Sequence, residues 1–354
     1  MRVTFLLPPV GMSGGIRVIA IHARALAERG HQVTLVSTPR PRRSGRDHIK
    51  AALGLWPSTR PKSHLDGTGL DLRVLEKARP IVDADLPDAD VVVATWWETA
   101  EWAARLAANK GRKYYFVQAH EIYFKGFEAR ARATYRLPLK KITVSRWLAR
   151  VIADEYGDTT CTIVENSVDH DQFNAPVRGK RPRPTVGFVY HHNPSKGMDV
   201  AMRALEILRT RLPDLRLITF GAYEPRFDRG KLGEFEFDPR QDRLKNLYGA
   251  CDVWLIPSRT EGFGLVAMEA MACGTPVVST RPGWAGEAIK GGINGALVEI
   301  DDATGLADKA AEILSLPDDR WRQMSAAAFE TVRDSSWERS SGLFEAALAQ
   351  DRRE

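Results

Sequence analysis

The sequence predicts an α/β protein made of two doubly wound parallel-sheet domains in tandem, and three observations lead to that expectation. The chain opens on a strand, turn, helix, strand unit between Val3 and Thr38. The same alternation restarts at Thr185, after a stretch rich in Pro, Arg and Lys from Pro176 to Pro184. A length of 354 residues suits two ordinary domains. With 44% hydrophobic and 27% charged residues, the composition is globular and excludes a disorder-dominated or collagen-like chain.

Taken in order, the apolar run Val3 to Val10 is the first strand. The turn Gly11 to Gly15 follows, then a helix with apolar positions Ile16, Val18, Ile19, Ile21, Ala25 and Leu26 that ends at Gly30. His31 to Thr38 completes the unit. Residues 39 to 70 break the rhythm with prolines and the basic residues Arg40, Arg42, Arg43, Arg46, Lys50, Arg60 and Lys62. Alternation resumes with strand Val91 to Thr95, helix Glu98 to Asn109, strands Lys113 to Gln118 and Lys141 to Val144, helix Trp147 to Tyr156 and strand Cys161 to Glu165. The second half reads as strand Thr185 to Val189, helix Met198 to Arg211, strand Leu215 to Phe220, helix Gln241 to Tyr248 and strand Val253 to Ile256. Helix Leu265 to Ala272, strand Pro276 to Ser279 and strand Gly295 to Ile300 follow, with helices over 303 to 350. This divides the chain into a Rossmann-like domain at 1–168, a linker at 169–184, a second Rossmann-like domain at 185–335, and a C-terminal helix at 336–354 that is expected to pack back on the first domain.

The formal charge of +6 is uneven: residues 1–168 hold 26 Lys+Arg against 17 Asp+Glu, a surplus of nine, while the remainder is slightly acidic. The basic half is expected to meet something anionic, and charge alone does not choose among phosphorylated substrates, acidic lipid and nucleic acid. Cys161, Cys251 and Cys273 are far apart and lack the paired spacing of a zinc site or a disulfide framework, which suits a reducing cytoplasm. The opening apolar run meets Pro8-Pro9 too soon to be a signal-peptide core or a membrane span.

The most specific signal is the run Glu261-Gly262-Phe263-Gly264-Leu265-Val266-Ala267-Met268-Glu269 between a strand and a helix. A helix starting near Gly264 aims its free N–H groups and positive dipole end at a ligand, which suits a diphosphate. Glu269 then lies about 7 Å further along the axis, roughly the offset from a diphosphate to its ribose, and a carboxylate accepts from two ribose hydroxyls. By spacing alone, a helix-start acid followed by a surface glutamate explains the pattern equally well.

With its flank Trp254-Leu255-Ile256-Pro257-Ser258, this stretch resembles the E-x7-E signature of retaining GT-B glycosyltransferases of the GT4 family. Asn166-Ser167-Val168-Asp169 resembles that family's interdomain turn, Gly14-Gly15 its first glycine loop, Lys196-Gly197 its phosphate-binding lysine, and Gly283 to Glu287 with Asn294-Gly295 its C-terminal turns. The resemblance implies two Rossmann-like domains facing each other across a cleft. It also implies transfer of a sugar from a nucleotide-diphosphate donor to a glycan, lipid-linked or small-molecule acceptor, with no cofactor and no metal required.

In that reading the catalytic residues are His120, Glu261 and Lys196. The donor is bound by Gly14, Gly15, Tyr190, His191, His192, Lys196, Phe263, Gly264, Leu265 and Glu269. Lys196 neutralises charge on the departing diphosphate, Glu269 anchors the ribose, Glu261 meets the donor sugar, and His120 faces the reacting sugar with Glu121 beside it. Residues Phe235 to Asp238 are expected to meet the base through the backbone. One departure stands out: where the family often has an arginine six residues before the lysine, this chain has Tyr190, followed by His191-His192-Asn193. The histidines either supply the missing cation or bind donor hydroxyls; a metal site would need a third ligand that is not evident.

Trp96 and Trp97 are read as packing residues before acceptor contacts. Asp83-x-Asp85 and Asp88-x-Asp90 match a metal-binding D-x-D but precede a strand, at the end where ligands do not usually bind. No G-x-G-x-x-G follows the first strand, and no G-x-x-x-x-G-K-[ST] occurs, so NAD and P-loop readings are disfavoured; the glycosyltransferase resemblance implies no nucleic-acid partner. The segment Pro39 to Lys62, with Leu53, Leu55 and Trp56, is either a solvated loop or a peripheral contact with the anionic inner face of a membrane. Two competing functions remain at this level: a nucleotide-sugar epimerase of the same fold, and a non-catalytic protein binding anionic surfaces.

Overall fold

The computed structural model describes residues 1–40, 62–123, 126–225 and 227–350. Most of the basic Pro39 to Lys62 segment, including Leu53, Leu55 and Trp56, lies outside the described residues. The chain divides into two units: Met1–Val144 with Ala149–Val164 and the chain from Glu338 onward, and Ser145–Leu148 with Glu165–Trp337.

The first unit contains β1 (Arg2–Leu7), α1 (Gly14–Glu28), β2 (Gln32–Ser37), β3 (Asp71–Val74), β4 (Val91–Ala94), α2 (Trp97–Arg105), β5 (Arg112–Val117), α3 (Glu128–Thr134), β6 (Lys140–Thr143), α4 (Arg146–Tyr156) and β7 (Thr162–Ile163). The strands form one sheet in the order β3-β2-β1-β4-β5-β6-β7, and every pairing is parallel. Parallel strands covered on both faces read as continuous apolar runs; Val91, Val92, Val93 and Ala94 of β4 are all fully buried. Helix α1 buries Ile16, Val18, Ile19, His22, Ala23 and Leu26, is capped by Ser13, and is followed by Gly30 at φ +84°.

The second unit contains β8 (Thr185–Val189), α5 (Met198–Arg211), β9 (Arg216–Gly221), β10 (Glu234–Phe237), α6 (Leu244–Gly249), β11 (Val253–Ile256), α7 (Leu265–Ala272), β12 (Val277–Thr280), α8 (Ala285–Ala288), β13 (Gly295–Val298), α9 (Ala303–Leu314) and α10 (Asp318–Val332). Its sheet order is β10-β9-β8-β11-β12-β13, again all parallel. Counted from β8, this is the doubly wound order 3-2-1-4-5-6. The order in which strands are added reverses between β8 and β11, and such sheets bind ligands outside the carboxyl ends of the strands at that point.

The last helix, α11 (Trp337–Ala349), belongs with the first unit from Glu338 onward. Phe344 is fully buried there, with its ring 4.6 Å from His22 and 5.0 Å from Phe116. Ser341 Oγ lies 3.0 Å from His22 Nδ1, and Tyr114 donates to the Ala347 carbonyl at 3.2 Å.

Residues 169–184, set apart by composition as a linker, group with the second unit and are pinned to it. Phe173 is fully buried, the Arg181 N–H donates to Asp252 at 2.8 Å, and the Arg178 guanidinium lies 4.5 Å over the Trp321 ring while pairing with Asp252 at 3.2 Å. Among the described residues, no helix is long and apolar enough to cross a membrane.

Candidate functional site

The site in the second unit forms where the segments leaving β8 and β11 come together. After β8 the chain passes through Tyr190, His191 and His192 into a single 3-10 turn, Pro194–Lys196, started by Asn193, whose side chain accepts from the Ser195 N–H at 3.0 Å. Gly197 takes φ +66° and begins α5. A Cβ at Gly197 would lie 1.9 Å from the Pro257 carbonyl oxygen, so only glycine lets this turn rest against the segment leaving β11.

That packing brings Lys196 to Glu261. Lys196 Nζ lies 2.6 Å from Glu261 Oε1, and Ser258 Oγ donates to the same oxygen at 2.8 Å. The carboxylate is mostly covered, at 14% exposed, while the lysine is 36% exposed. Gly283 and Trp284 support the turn from behind: the Trp284 N–H donates to the Phe263 carbonyl at 2.8 Å, and its ring stacks on Phe263 at 5.8 Å.

Helix α7 starts at Leu265 with Gly264 as its N-cap at φ +89°. Of its first-turn N–H groups, that of Ala267 donates back to the Gly264 carbonyl at 3.0 Å, while those of Leu265 and Val266 have no intrahelical acceptor and carry the positive end of the helix dipole. The left-handed cap costs a residue with a Cβ about 1–2 kcal/mol, so Gly264→Ala is expected to lower stability by that amount in a chemical-denaturation titration. An unchanged midpoint would show that the cap is not held in this conformation.

Glu269 lies one turn further into α7 and is 6% exposed. Its Oε2 accepts from the Tyr248 hydroxyl at 2.8 Å. Ser258 and Tyr248 were not nominated from sequence. Ser258 is adjacent to the signature and could have been found by reach; Tyr248, twenty-one residues upstream of Glu269, arrives only through the packing of α6 on α7.

The three residues replacing the usual arginine have different environments. The Tyr190 ring is buried in the core of this unit, 5.9 Å from Phe235 and 5.7 Å from Phe227, so it packs rather than presenting a face to a ligand. His191 accepts from the Asn193 N–H through Nδ1 at 2.9 Å, which leaves Nε2 as the donor of the neutral ring. Burial first, then Lys196 and His192, push its pKa down to about 4 against the opposing pull of Glu261. At neutral pH, His191 is therefore uncharged. His192 stacks on Tyr223 at 4.8 Å, with Nε2 2.9 Å from the Glu224 carbonyl. Phe235 is buried in β10, and Asp238 follows that strand at φ +44°.

In the first unit, Gly14 and Gly15 form the first turn of α1; a Cβ on Gly15 would sit 3.5 Å from Gln118 Nε2 at the end of β5. His120 is buried, with Nε2 2.5 Å from the Tyr156 hydroxyl and 3.8 Å from Glu155, which Arg132 also contacts at 2.5 Å. Burial lowers the His120 pKa below its ordinary value, Glu155 opposes this, and Arg132 adds to it.

Glu121 is fully enclosed. It accepts from the Trp97 N–H at 2.9 Å and from the Tyr115 hydroxyl at 3.2 Å, and burial pushes its carboxyl up to about 8. It thus closes the start of α2. Trp96 is the N-cap of that helix; Trp97 is buried beneath Arg130, whose guanidinium lies 5.0 Å from the ring.

The D-x-D aspartates sit before β4, at its amino end. Asp85 pairs with Arg79 at 2.6 Å, Asp88 with Lys110 at 2.9 Å and Asp90 with Arg2 at 3.2 Å, while Asp83 accepts from the Ala107 N–H at 2.9 Å. Among the described residues, no group of three or more His, Cys, Asp or Glu is placed to hold a metal ion.

Comparison with known proteins adds three findings. Residues 12–172 match the family model described as Glycosyltransferase Family 4, and residues 183–316 match that described as Glycosyl transferases group 1. A D-inositol 3-phosphate glycosyltransferase of Corynebacterium jeikeium is 33% identical over 219 residues, which are 54% of this chain and 52% of that protein. The chain spans about half the length of the curated relatives it matches.

In three dimensions, a sucrose-phosphate synthase from Thermosynechococcus elongatus superposes with a TM-score of 0.75 at 17% identity, over 99% of this chain and 98% of that one. Anabaena Alr3699/HepE in complex with UDP and glucose gives 0.73 at 17% identity, over 99% and 100%. At that identity the likeness carries the fold: two parallel-sheet α/β domains of the GT-B kind.

Proposed function

Since the chain belongs to the group 1, family 4 glycosyltransferases, we propose that it is a retaining, metal-independent enzyme that moves a sugar from a nucleotide diphosphate to an acceptor hydroxyl. The observation that carries the reading is the meeting, at the switch point of the second sheet, of Lys196, Glu261 and the glycine-capped start of α7. A cation and a set of free N–H groups together suit a diphosphate.

In this reading the donor diphosphate takes Lys196 from Glu261, and the carboxylate, still held by Ser258, turns to the hydroxyls of the sugar. Glu269 holds the ribose. His191 contributes a neutral Nε2–H donor where related enzymes use an arginine, which leaves Lys196 as the cation of this loop. The acceptor hydroxyl attacks the anomeric carbon from the face the diphosphate leaves: the new C–O bond forms as the C–O bond to phosphate breaks, and the hydroxyl proton passes to a diphosphate oxygen. Stabilising negative charge on that leaving group is the chief electrostatic task, and Lys196 with the α7 N-terminus performs it. The first unit takes the acceptor, with His120 as its sugar-facing group.

Two facts about similar proteins narrow the first assays. The structural neighbour from Anabaena is solved with UDP and glucose, which makes UDP-glucose the first donor to try. The sequence relatives are named for an inositol phosphate, and the first 168 residues carry nine surplus positive charges, which makes a phosphorylated polyol the first acceptor. Free thiols at Cys161, Cys251 and Cys273 suit a cytoplasmic setting.

The test is a thermal-shift screen of UDP, GDP, ADP and dTDP sugars, followed by proton NMR of the product formed with the donor that binds. The expected product keeps the anomeric configuration of the donor, and its rate of formation is unchanged in EDTA. Inversion would remove the retaining assignment, complete loss in EDTA the metal-independent one. Conversion of donor to a new nucleotide sugar without acceptor would replace transfer with epimerisation.

A further inference from the structure

Arg259, two residues before Glu261, lies among the turn that carries Lys196 and two aspartate-bearing segments, and its bonds join them. Its backbone N–H donates to the Ser195 carbonyl at 2.7 Å, and Nη1 donates to the Pro194 carbonyl at 2.6 Å. Nη2 reaches Asp199 in the first turn of α5 at 2.7 Å, and Nε reaches Asp301, beyond β13, at 2.7 Å. The guanidinium edge thus grips a turn, a helix start and a strand exit at once. Lysine, a point charge on a flexible stem, has no such fork.

Stability is a poor explanation for this arrangement. The Arg259 side chain is 29% exposed and its two carboxylate partners 59% and 53%; exposed ion pairs contribute about 0–1 kcal/mol each. Position is a better one. The Pro194–Lys196 turn is a single 3-10 turn held by the Lys196 N–H on the Asn193 carbonyl at 3.0 Å and the Gly197 N–H on the Pro194 carbonyl at 3.1 Å. Two of its three carbonyls accept from Arg259, and two residues beyond Arg259 the chain reaches Glu261, the partner of Lys196.

We infer that Arg259 is a positioning residue that sets the Lys196 ammonium and the Glu261 carboxylate at the spacing a donor diphosphate and its sugar need, an inference that rests on the donor site proposed above. It touches no reacting atom and acts through the Pro194–Lys196 turn.

The experiment uses the full chain as parent, Arg259→Ala, Arg259→Lys and Lys196→Ala, with two readouts: amide hydrogen exchange at Lys196 and Gly197 without ligand, and calorimetric titration with UDP-glucose. Arg259→Ala is expected to speed exchange at both amides and to weaken UDP-glucose about tenfold, since small misplacements of binding groups carry large penalties, while the thermal midpoint moves by no more than about 3 °C. Arg259→Lys restores at most part of the loss.

If either readout stays within about twofold of the parent in Arg259→Ala, the positioning role is wrong. When Lys196→Ala weakens the donor and Arg259→Ala does not, the donor site stands and this inference falls. A parent that binds no sugar nucleotide at millimolar concentration removes both. Should Arg259→Ala fail to fold, Asp301→Gly withdraws one anchor at a position whose φ of +66° suits glycine; donor binding equal to the parent's in that variant overturns the inference.

Discussion

Replacing Lys196 by alanine is expected to weaken binding of UDP-glucose and of inorganic pyrophosphate alike, by about 10- to 150-fold, the equivalent of a charged hydrogen bond worth ~1.5–3 kcal/mol. Both ligands present the phosphate oxygens that the ammonium is read to contact. The loss should exceed that of an ordinary surface lysine because the neighbouring His191 is neutral at assay pH and no second cation of this loop compensates. The variant also frees Glu261 from its 2.6 Å partner and leaves a mostly covered carboxylate facing the phosphates, so part of the loss is repulsion. Parallel titrations with the two ligands check this; pyrophosphate binding equal to the parent's would take Lys196 out of the phosphate site.

Glu269→Gln is expected to separate the same two ligands. The amide keeps an oxygen that can accept from the Tyr248 hydroxyl, now 2.8 Å from Oε2, so the fold around α6 and α7 is preserved. It loses the charge that makes the carboxylate a strong acceptor for two ribose hydroxyls. UDP and UDP-glucose should bind at least about tenfold more weakly while pyrophosphate is unaffected, because only the nucleotides carry a ribose. Equal losses for UDP and pyrophosphate would mean that Glu269 shapes the helix and does not touch the sugar of the nucleotide.

Much of this architecture was legible in the sequence because parallel strands covered on both faces are written as apolar runs. β4, β11 and β12 were read within a residue or two, and α7 was read from Leu265 to Ala272 as it stands. The edge strands β3 and β10 escaped for the opposite reason. Their sequences, Asp-Leu-Arg-Val and Glu-Phe-Glu-Phe, alternate charge with apolar residues and are mostly exposed, and a four-residue edge strand leaves little pattern to find. The stretch 169–184 misled by composition: its arginines and lysine look solvated in sequence, yet the Arg178 side chain reaches Asp252, that of Arg181 the Gly249 carbonyl, and that of Lys180 the Leu314 and Leu316 carbonyls at the end of α9.

Within the candidate site, the pairing of Lys196 with Glu261 follows from two loops that a doubly wound sheet brings to one switch point, so residues sixty-five apart were foreseeable neighbours. What sequence could not supply was the supporting layer. Tyr248 reaches Glu269, Arg259 gathers three segments, and Tyr190 turns inward to Phe235, all through tertiary packing that leaves no periodic mark. The protonation state of His191 was equally hidden, since it depends on burial and on an N–H two residues later.

The central claim, that Lys196, Glu261 and the start of α7 form a sugar-nucleotide site, is tested most directly by calorimetric titration of the unaltered chain with UDP-, GDP-, ADP- and dTDP-sugars. One of them is expected to bind with a single-site isotherm, and excess pyrophosphate is expected to compete with it. Absence of binding by all four at millimolar concentration, or binding that pyrophosphate leaves untouched, would contradict the account.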